Sequence, residues 1–455
     1  MIPLFMGLLA CGSPAPEPTL PAVDCPFEPV GGAVCYRLDT PADYVVVTVI
    51  PATGRRRLPP LVLQNGGPGS SPWDDYGPLF ATDLREAFGV RRDLVLVETR
   101  GSRYSGRPLA CDAYLDKIQT QAPDSEVADA LIRCFDDWHA EGVDFSAVTG
   151  PRLADDIVNA VQQLGYDSFD YYGGSFGTII GQHLVRDHDA HVGTLVLDAV
   201  VPVGVNYVDA LPRSADEALA TLDAACRADP TCGYEDVPRL LETRLAALDA
   251  EPVAATVDGR TILVDGDAMA ALVQGLLYFG EAAEYIPRLV AFEGEDVGEL
   301  YGSVLEQLGT DERWSEEHVV GLNLAATCGE TRGIAAEPYT SSDFGARVGL
   351  GLPVDELCDV LGLAANPDAE RARASTADPV LLLSGQHDPV TPPRWAQEIE
   401  AEFPRGIEVT LSGTGHGGLV SDCGLQTLIS FLDDPENPDL GACRNDDSIE
   451  LQPPL

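Results

Sequence analysis

Basic side chains are scarce in this chain of 455 residues, which has 73 Asp and Glu but only 28 Lys and Arg, with Lys117 as its only lysine. The formal net charge is −45. Such a surface repels nucleic acid and anionic lipid, so neither is expected as a partner. Its field attracts cations such as peptides with a free amino terminus, although solubility or a salty habitat also accounts for the acidity.

Long apolar runs are also missing beyond the N-terminus, so we expect no membrane-spanning segment in the mature chain. The short apolar stretch Ile2–Ala10 ends at Cys11, and Leu8–Cys11 resembles the lipobox of bacterial lipoproteins. Residues 1–11 are therefore predicted as an export signal with Cys11 as the lipidated residue, followed by a Pro/Ser-rich tether. No basic residue precedes the run, so an apolar N-terminus with an incidental cysteine is the alternative.

The cysteines form no CxxC motif or His–Cys cluster, so no zinc site is expected. Eleven are present, and setting Cys11 aside leaves ten. Disulfides in an oxidising compartment fit this even number better than free thiols, and predict a cell-envelope or secreted location. Pairing by proximity gives Cys25/Cys35, Cys111/Cys134, Cys226/Cys232, Cys328/Cys358 and Cys423/Cys443.

Strand and helix patterns alternate before residue 200 and after residue 375, without an internal repeat. This alternation predicts an α/β fold with a mostly parallel sheet covered by helices on both faces. The helix between two of the strands is indicated by apolar residues at helical spacing from Leu153 to Leu164. The predicted strands are Tyr44–Ile50, Leu61–Gln64, Asp93–Glu98, Phe169–Tyr172, Thr194–Asp198, Val380–Ser384 and Ile407–Leu411.

The middle of the chain is dominated by helical patterns and reads as a cap inserted into the sheet domain. A hairpin is predicted where Val253–Val257 and Thr261–Val264 flank an Asp-Gly pair. The predicted helices include Ala215–Arg227, Pro238–Ala250 and Ala268–Tyr278. The expected organisation is a signal at 1–11, a tether and N-terminal segment at 12–40, core at 41–204, cap at 205–372 and core at 373–455.

The segment Tyr171–Thr178 places Gly-x-Ser-x-Gly after a strand and before a helix beginning near Phe176. A serine at so tight a turn needs strained backbone angles, and its neighbours two positions away must lack side chains. Gly173 and Gly177 meet that demand. Ser175 is therefore the predicted nucleophile.

A serine needs a base to take its proton, and the base must be held in one tautomer. His416 follows the last predicted strand within the glycine-rich run Gly413–Gly418, which can carry an imidazole over the sheet edge. His387 is the rival, although it immediately precedes an acid on another loop. The remaining histidines fit ordinary core or surface positions: His139, His183, His188, His191 and His318.

Asp388 is the predicted acid, because it follows the apolar strand Val380–Leu383 in a loop shaped by prolines. Asp198, at the end of the preceding strand, is the rival acid. A second oxyanion donor is expected from the glycine-rich run Leu63–Ser71, so the hole is assigned to the N–H groups of Gly67 and Phe176. No Gly-Lys-Ser/Thr follows that run, which argues against a phosphate site.

These motifs resemble the proline iminopeptidase and tripeptidyl aminopeptidase family of the α/β-hydrolase fold, most closely its tripeptidyl branch. The chain order Ser, Asp, His is the order of that fold. The likeness runs from about residue 40 onward. It is carried by Gly66–Gly69, Glu98–Gly101, Arg107–Cys111, Gly174–Gly177, Ala325–Glu330, the Asp388 and His416 loops, and the pair Cys423 and Cys443.

The resemblance implies cleavage of short peptides from a free amino terminus, without a metal or organic cofactor. An aminopeptidase needs acids that pair with the substrate ammonium, and Glu330 is the candidate. The alternative is that Glu330 is an ordinary solvated surface acid without a role in binding. The chain departs from the family pattern in three places: Glu98 replaces an aspartate, Arg103 a glycine, and Asn65 a histidine. The first two put the shape of their loop in doubt, and Asn65 puts proline specificity in doubt.

Two other functions remain open on the sequence. A carboxylesterase or lipase would use the same triad under a cap shaped for an acyl chain, and a non-catalytic surface binding protein would lack a triad member. The number of residues released and the oligomeric state are not encoded in any recognisable pattern.

Overall fold

The computed structural model describes residues 18–41, 43–120, 122–257, 259–292, 297–308, 319–349 and 351–440. The predicted signal at 1–11 with Cys11, and Cys443, the expected partner of Cys423, lie outside the described residues.

A mixed sheet of nine strands forms the centre of the described chain, in the order β1-β2-β3-β5-β4-β6-β7-β10-β11. From β5 onward all neighbouring strands are parallel. The predicted α/β architecture is confirmed. The strands are β1 (Ala22–Val23), β2 (Val34–Asp39), β3 (Tyr44–Ile50), β4 (Leu61–Gln64), β5 (Leu94–Val97), β6 (Phe169–Gly174), β7 (Val192–Asp198), β10 (Val380–Gly385) and β11 (Gly406–Leu411), with β8 (Val253–Val257) and β9 (Arg260–Val264) forming a separate hairpin.

The central strands are apolar on both faces because each face is covered. In β10, Leu382 belongs to one buried cluster, while Leu381 and Leu383 belong to another on the opposite side. Side chains alternate across a strand, so continuous apolar runs are what a doubly covered strand requires. All seven predicted strands are present, and their ends differ by at most two residues.

Two strands, β1 and β2, were not predicted. They lie in the N-terminal segment and extend the sheet: β2 pairs antiparallel with β3, and β1 pairs antiparallel with β2. In strand β2 only Cys35 and Leu38 are buried, three positions apart, and the other four residues are exposed or partly exposed. A strand that is mostly exposed carries a weaker apolar signal than the central strands, which are covered on both faces.

Helices cover both faces of the sheet and build the cap. In the described part of the chain no helix is both long and apolar enough to cross a membrane. The helices are α1 (Pro72–Ala81), α2 (Arg85–Phe88), α3 (Asp112–Gln119), α4 (Asp124–Ala140), α5 (Gly150–Gln163), α6 (Phe176–His188), α7 (Leu211–Ala228), α8 (Val237–Ala250), α9 (Gly266–Tyr278), α10 (Ile286–Ala291), α11 (Val297–Leu308), α12 (Val320–Thr331), α13 (Asp343–Val348), α14 (Val354–Val360), α15 (Pro393–Glu400) and α16 (Asp422–Asp433).

The cap has a buried cluster of its own, built from helices α7 to α10 and the hairpin β8–β9, with Tyr301 and Phe344. Helices α12 and α14 behave differently, because Leu322 and Val354 belong to the cluster under the sheet. The helical insertion is therefore built of two packing units. The exact bounds 205–372 of the cap stay a prediction.

Four of the disulfides expected from proximity are present. Cys423 is also disulfide-bonded. The Cys328–Cys358 bond joins helix α12 to helix α14, across a sequence separation of 30 residues. The observed bonds are Cys25–Cys35, Cys111–Cys134, Cys226–Cys232 and Cys328–Cys358.

Candidate active site

Ser175 occupies a strained turn between strand β6 and helix α6, with φ 52° and ψ −118°. An L-residue rarely adopts a positive φ, so surrounding structure must hold it there. The backbone N–H of Ser175 donates to the Asp198 carbonyl at 2.8 Å. A Cβ on Gly173 would lie 2.4 Å from the Gly177 carbonyl oxygen. The expected need for glycine on both sides of the serine is therefore confirmed.

The glycine-rich loop after strand β4 closes over this turn. A Cβ on Gly66 would lie 2.5 Å from the Ser175 Cβ and 3.0 Å from its Oγ, so only glycine allows this approach. Gly67 is the next residue, and Phe176 is the first residue of helix α6. Gly67 and Phe176, the two residues assigned to the oxyanion hole, are therefore both next to the serine: Gly67 follows Gly66, which contacts Ser175, and Phe176 follows Ser175 itself.

His416 and Asp388 are paired, with 2.8 Å between Nδ1 and Oδ2. The backbone N–H groups of Val390 and Thr391 each donate to Asp388 Oδ1 at 2.8 Å. The Thr391 hydroxyl donates to Oδ2 at 2.5 Å and lies 3.2 Å from His416 Nδ1. A buried carboxylate with this many donors has a fixed orientation, and so does the imidazole it holds.

The cap contacts the histidine directly. The His416 N–H donates to the Tyr278 carbonyl at 2.7 Å, and the two rings lie 4.6 Å apart between centroids. Tyr278 is the last residue of helix α9. A Cβ on Gly280 would lie 2.2 Å from the Gly415 backbone nitrogen, so the chains touch here. The end of helix α9 therefore positions the histidine loop.

Two opposing effects act on His416. Burial disfavours the imidazolium, but the charge and hydrogen bond of Asp388, with the charge of Asp198, outweigh it and raise the pKa of His416. Asp388 thus stabilises the imidazolium form of His416, which is the form that a general base takes once it has accepted a proton.

Asp198, the rival acid, has a different place. Its carboxylate accepts the N–H groups of Gly418 and Leu419 at 2.6 and 3.0 Å, and the Tyr172 hydroxyl at 2.7 Å. Burial raises the pKa of Asp198, against these hydrogen bonds. Because its own carbonyl accepts the Ser175 N–H, Asp198 ties the serine turn to the loop that follows His416.

Comparison with known families decides the broader assignment. The sequence profile of the alpha/beta hydrolase fold matches residues 59–422, which is most of the chain. The chain belongs to the alpha/beta hydrolase fold family.

Solved structures similar to this alpha/beta hydrolase share little of its sequence. An alpha/beta hydrolase fold protein from Chitinophaga pinensis is 12% identical over 90% of this chain and 100% of its own, with a TM-score of 0.40. An esterase from Exiguobacterium antarcticum is 13% identical over 86% and 96%, with a TM-score of 0.38. No curated protein sequence matches this chain significantly.

The position of Glu330 corrects its sequence assignment. Its side chain is 2% exposed, and Oε1 accepts from Asn366 at 3.0 Å and contacts His183 Nε2 at 3.1 Å. A Cβ on Gly150 would lie 2.6 Å from the same oxygen. The helices have packed around this carboxyl, so a substrate ammonium has no room to reach it, and we do not retain Glu330 as the anchor.

His387, the rival base, is fully buried. Among the described residues neither of its ring nitrogens has a hydrogen-bond partner. Burial lowers the pKa of His387 to about 4. A neutral ring enclosed by the fold cannot exchange protons with a substrate, so the geometry favours His416 as the base.

The loop after strand β5 is built on Glu98. This buried carboxyl accepts the hydroxyls of Ser71 and Ser102 at 2.7 Å each, and the Trp73 N–H at 3.4 Å. Burial raises the pKa of Glu98 to about 7, against these hydrogen bonds. Glu98 thus joins this loop to the start of helix α1, and Arg103 pairs with Asp74 on that helix at 3.5 Å.

Two residues of the site were not predicted. Thr391 carried a readable sign, because an aspartate followed by a threonine in a proline-rich loop often accepts local N–H groups through its side chain. Tyr278 carried none, since its contact with His416 depends on how the cap docks. Among the residues that the structure describes, no three His, Cys, Asp or Glu side chains are grouped as a metal site requires.

Proposed function

We propose that this alpha/beta hydrolase is an exported serine peptidase that releases short peptides or residues from the free amino terminus of peptides. The observation that carries the proposal is the His416–Asp388 pair, with 2.8 Å between Nδ1 and Oδ2, on the loop that Asp198 ties to the Ser175 turn. The resemblance to tripeptidyl aminopeptidases supplies the substrate class.

In this proposal Ser175, His416 and Asp388 act as a relay. The Ser175 Oγ attacks the carbonyl carbon while His416 Nε2 takes its proton, and the N–H groups of Phe176 and Gly67 bind the oxyanion. The C–N bond then breaks as His416 gives the proton to the leaving amine, which leaves an ester on Ser175. Water, deprotonated by His416, hydrolyses this ester and restores the serine.

Export is the second part of the proposal. Four disulfides fit an oxidising compartment better than the cytoplasm of most bacteria. Lipidation at Cys11 would anchor the enzyme to the cell envelope. Cell fractionation of wild type and Cys11→Ala tests the anchor: the wild type is expected with the membranes and the variant in the soluble fraction.

The chemistry is tested with a fluorophosphonate probe and paired substrates. Wild type is expected to gain the mass of one covalent adduct, and Ser175→Ala none. Tripeptide coumarin amides with free amino termini should be cleaved faster than the same peptides acetylated. Turnover that survives in Ser175→Ala, or faster cleavage of the acetylated peptides, would reject the proposal.

A carboxylesterase is the second candidate, because exposed aromatic side chains lie beside His416. Tyr278 and Phe279 are 37% and 55% exposed, and their ring centroids are 5.4 Å apart. Such a face suits an acyl chain as well as an apolar amino-acid side chain. Ser175-dependent turnover of medium-chain acyl esters that exceeds turnover of every free peptide would favour this alternative.

A further inference from the structure

The Asp75 carboxylate lies close to the serine turn, and no basic side chain among the described residues pairs with it. Asp75 is in the first turn of helix α1, and its Oδ2 accepts the Asn65 side-chain N–H at 2.5 Å. Asn65 is 2% exposed, and the next residue, Gly66, contacts Ser175. Only the side chain of Asn65 and the peptide bond from Asn65 to Gly66 therefore separate the Asp75 carboxylate from the residue that contacts Ser175.

The neighbouring acid is used differently. Asp74 accepts the Tyr104 hydroxyl at 2.9 Å and pairs with Arg103 at 3.5 Å, so the protein itself compensates its charge. Burial raises the pKa of Asp75, the hydrogen bond from Asn65 opposes this and the charge of Asp74 adds to it, while no basic group in the described part of the chain compensates the Asp75 charge. A carboxylate left in this state can bind a cation from outside.

Asp75 combines access to solvent with partial burial of its carboxylate. Its side chain is exposed to solvent, yet the protein atoms around it desolvate the carboxylate and raise the pKa of Asp75. Burial, and then the charges of Asp388 and Asp75, raise the pKa of Tyr278, whose ring lies against His416. Asp75 therefore lies near Tyr278 as well as near the serine turn.

We propose that Asp75, oriented by Asn65, binds the ammonium group of the substrate amino terminus while Ser175 attacks a carbonyl further along the peptide. This inference rests on the proposed peptidase function. The path from Ser175 through Gly66 and Asn65 to Asp75 spans no more than about 14 Å, the length of about four extended residues. Asp75 thereby limits the released piece to a short peptide.

The test compares Asp75→Asn with the matched control Asp83→Asn. Asparagine keeps an oxygen that can accept from Asn65 but removes the charge. Asp83 is an exposed acid just beyond the same helix, so its variant has the same net charge. Each protein is assayed on a tripeptide coumarin amide with a free amino terminus, on its acetylated counterpart, and on p-nitrophenyl acetate.

Asp75→Asn is expected to lower kcat/KM for the free peptide by about 10- to 100-fold, mainly through KM, because a charge-assisted hydrogen bond is lost. Turnover of the acetylated peptide and the ester should stay within about twofold of wild type, which also shows that the variant is folded. Asp83→Asn should match wild type on all three substrates, since long-range charge effects are weak and screened.

Three outcomes would overturn the proposal. If Asp75→Asn keeps the wild-type preference for the free peptide, the ammonium binds elsewhere and the peptidase assignment survives. If the ester and the free peptide slow by the same factor, Asp75 acts through Asn65 on the serine turn instead. If wild type cleaves the ester but neither peptide, the proposed peptidase function itself fails, and this anchor fails with it.

Discussion

Histidine and carboxylate meet both at the edge of the sheet and deep inside the helical layer. His416 and Asp388 lie 2.8 Å apart in two loops that follow parallel strands. His183 and Glu330 lie 3.1 Å apart on helices α6 and α12, and their side chains are 0% and 2% exposed. The sites share a pair of functional groups and differ in what surrounds them.

The difference lies in how fully each carboxylate is bonded. Asp388 accepts from two backbone N–H groups, the Thr391 hydroxyl and His416. Glu330 accepts at one oxygen only, and among the described residues its Oε2 and His183 Nδ1 have no partner. A pair held from every side orients a base, whereas a partly bonded pair in the core mainly fills and locks a packing position.

The largest contrast should come from neutralising each acid. Asp388→Asn is expected to lower kcat about 10⁴-fold, since the wrong tautomer of His416 is then favoured. Glu330→Gln should leave kcat within about twofold of wild type. Steady-state kinetics on one substrate measures both variants, and a comparable loss in Glu330→Gln would mean that the buried pair also serves catalysis.

For the free energy of unfolding we expect the opposite ranking of the two pairs: removing the imidazole of the buried pair should cost more than removing the imidazole of the His416–Asp388 pair. His183→Ala leaves Glu330 buried with a single partner and is expected to lower the free energy of unfolding by about 3 to 5 kcal/mol. His416→Ala leaves Asp388 with three donors and should lower it by only about 1 kcal/mol. Urea unfolding of the two variants measures this difference, and equal losses would remove the distinction between the sites.

Glu98 is a third buried carboxyl, and it differs from Asp388 and Glu330 because it accepts from hydroxyl and N–H donors but from no histidine. Its pKa in the folded protein, about 7, lies above the ordinary value of 4.5, so folding favours the protonated acid. The resulting stabilisation is full below about pH 4.5 and is lost as the pH rises through 7.

Wild type should therefore lose about 3 kcal/mol of unfolding free energy relative to Glu98→Gln between those two pH values. Chemical denaturation at each pH gives this difference. Glu86→Gln, which changes an exposed acid, is the control and should follow wild type. Parallel curves for wild type and Glu98→Gln would show that Glu98 does not titrate in this range.

A smaller effect is expected from Thr391. Thr391→Val keeps the shape but removes the hydroxyl that donates to Asp388, so kcat should fall about 10-fold. Thr391→Ser keeps the donor and should recover most of the rate. If both variants behave alike, packing of the methyl group matters and the hydroxyl does not.

The smallest effect concerns pH. Asp388 raises the pKa of His416, and a general base must be neutral, so activity should fall on acidification through a value above the ordinary histidine pKa of about 6.5. Asp388→Asn removes the charge and should move this limb to lower pH. A pH profile of kcat/KM in both proteins measures the shift, and an unmoved limb would assign the titration to another group.

Much of the active site could be predicted because it is built from local pattern. The strand, Gly-x-Ser-x-Gly and helix succession is contained within Tyr171–Thr178. Gly173 is required by its contact with Gly177 four residues on, whereas Gly177 packs against Gln64 at the end of the neighbouring strand β4. Asp388 and His416 are only 28 residues apart and follow neighbouring parallel strands. Parallel strands end at the same edge, so their loops meet without further information.

Glu330 was misassigned because its surroundings come from parts of the chain that are distant in sequence. It lies 147 residues from His183, and only the docking of helix α12 beneath the sheet brings the two together. The contact of Tyr278 with His416 and the hydrogen bond from Asn65 to Asp75 depend in the same way on how separate elements pack.

Strand succession, the serine turn, four disulfide pairings and the meeting of the Asp388 and His416 loops follow from the sequence, because each depends on near neighbours or on strand order. Which acids become buried, which stay open to a substrate, and which helix end holds the histidine loop were decided by tertiary packing. Burial is a property of the whole fold, and the same carboxylate binds a cation or locks a helix according to what surrounds it.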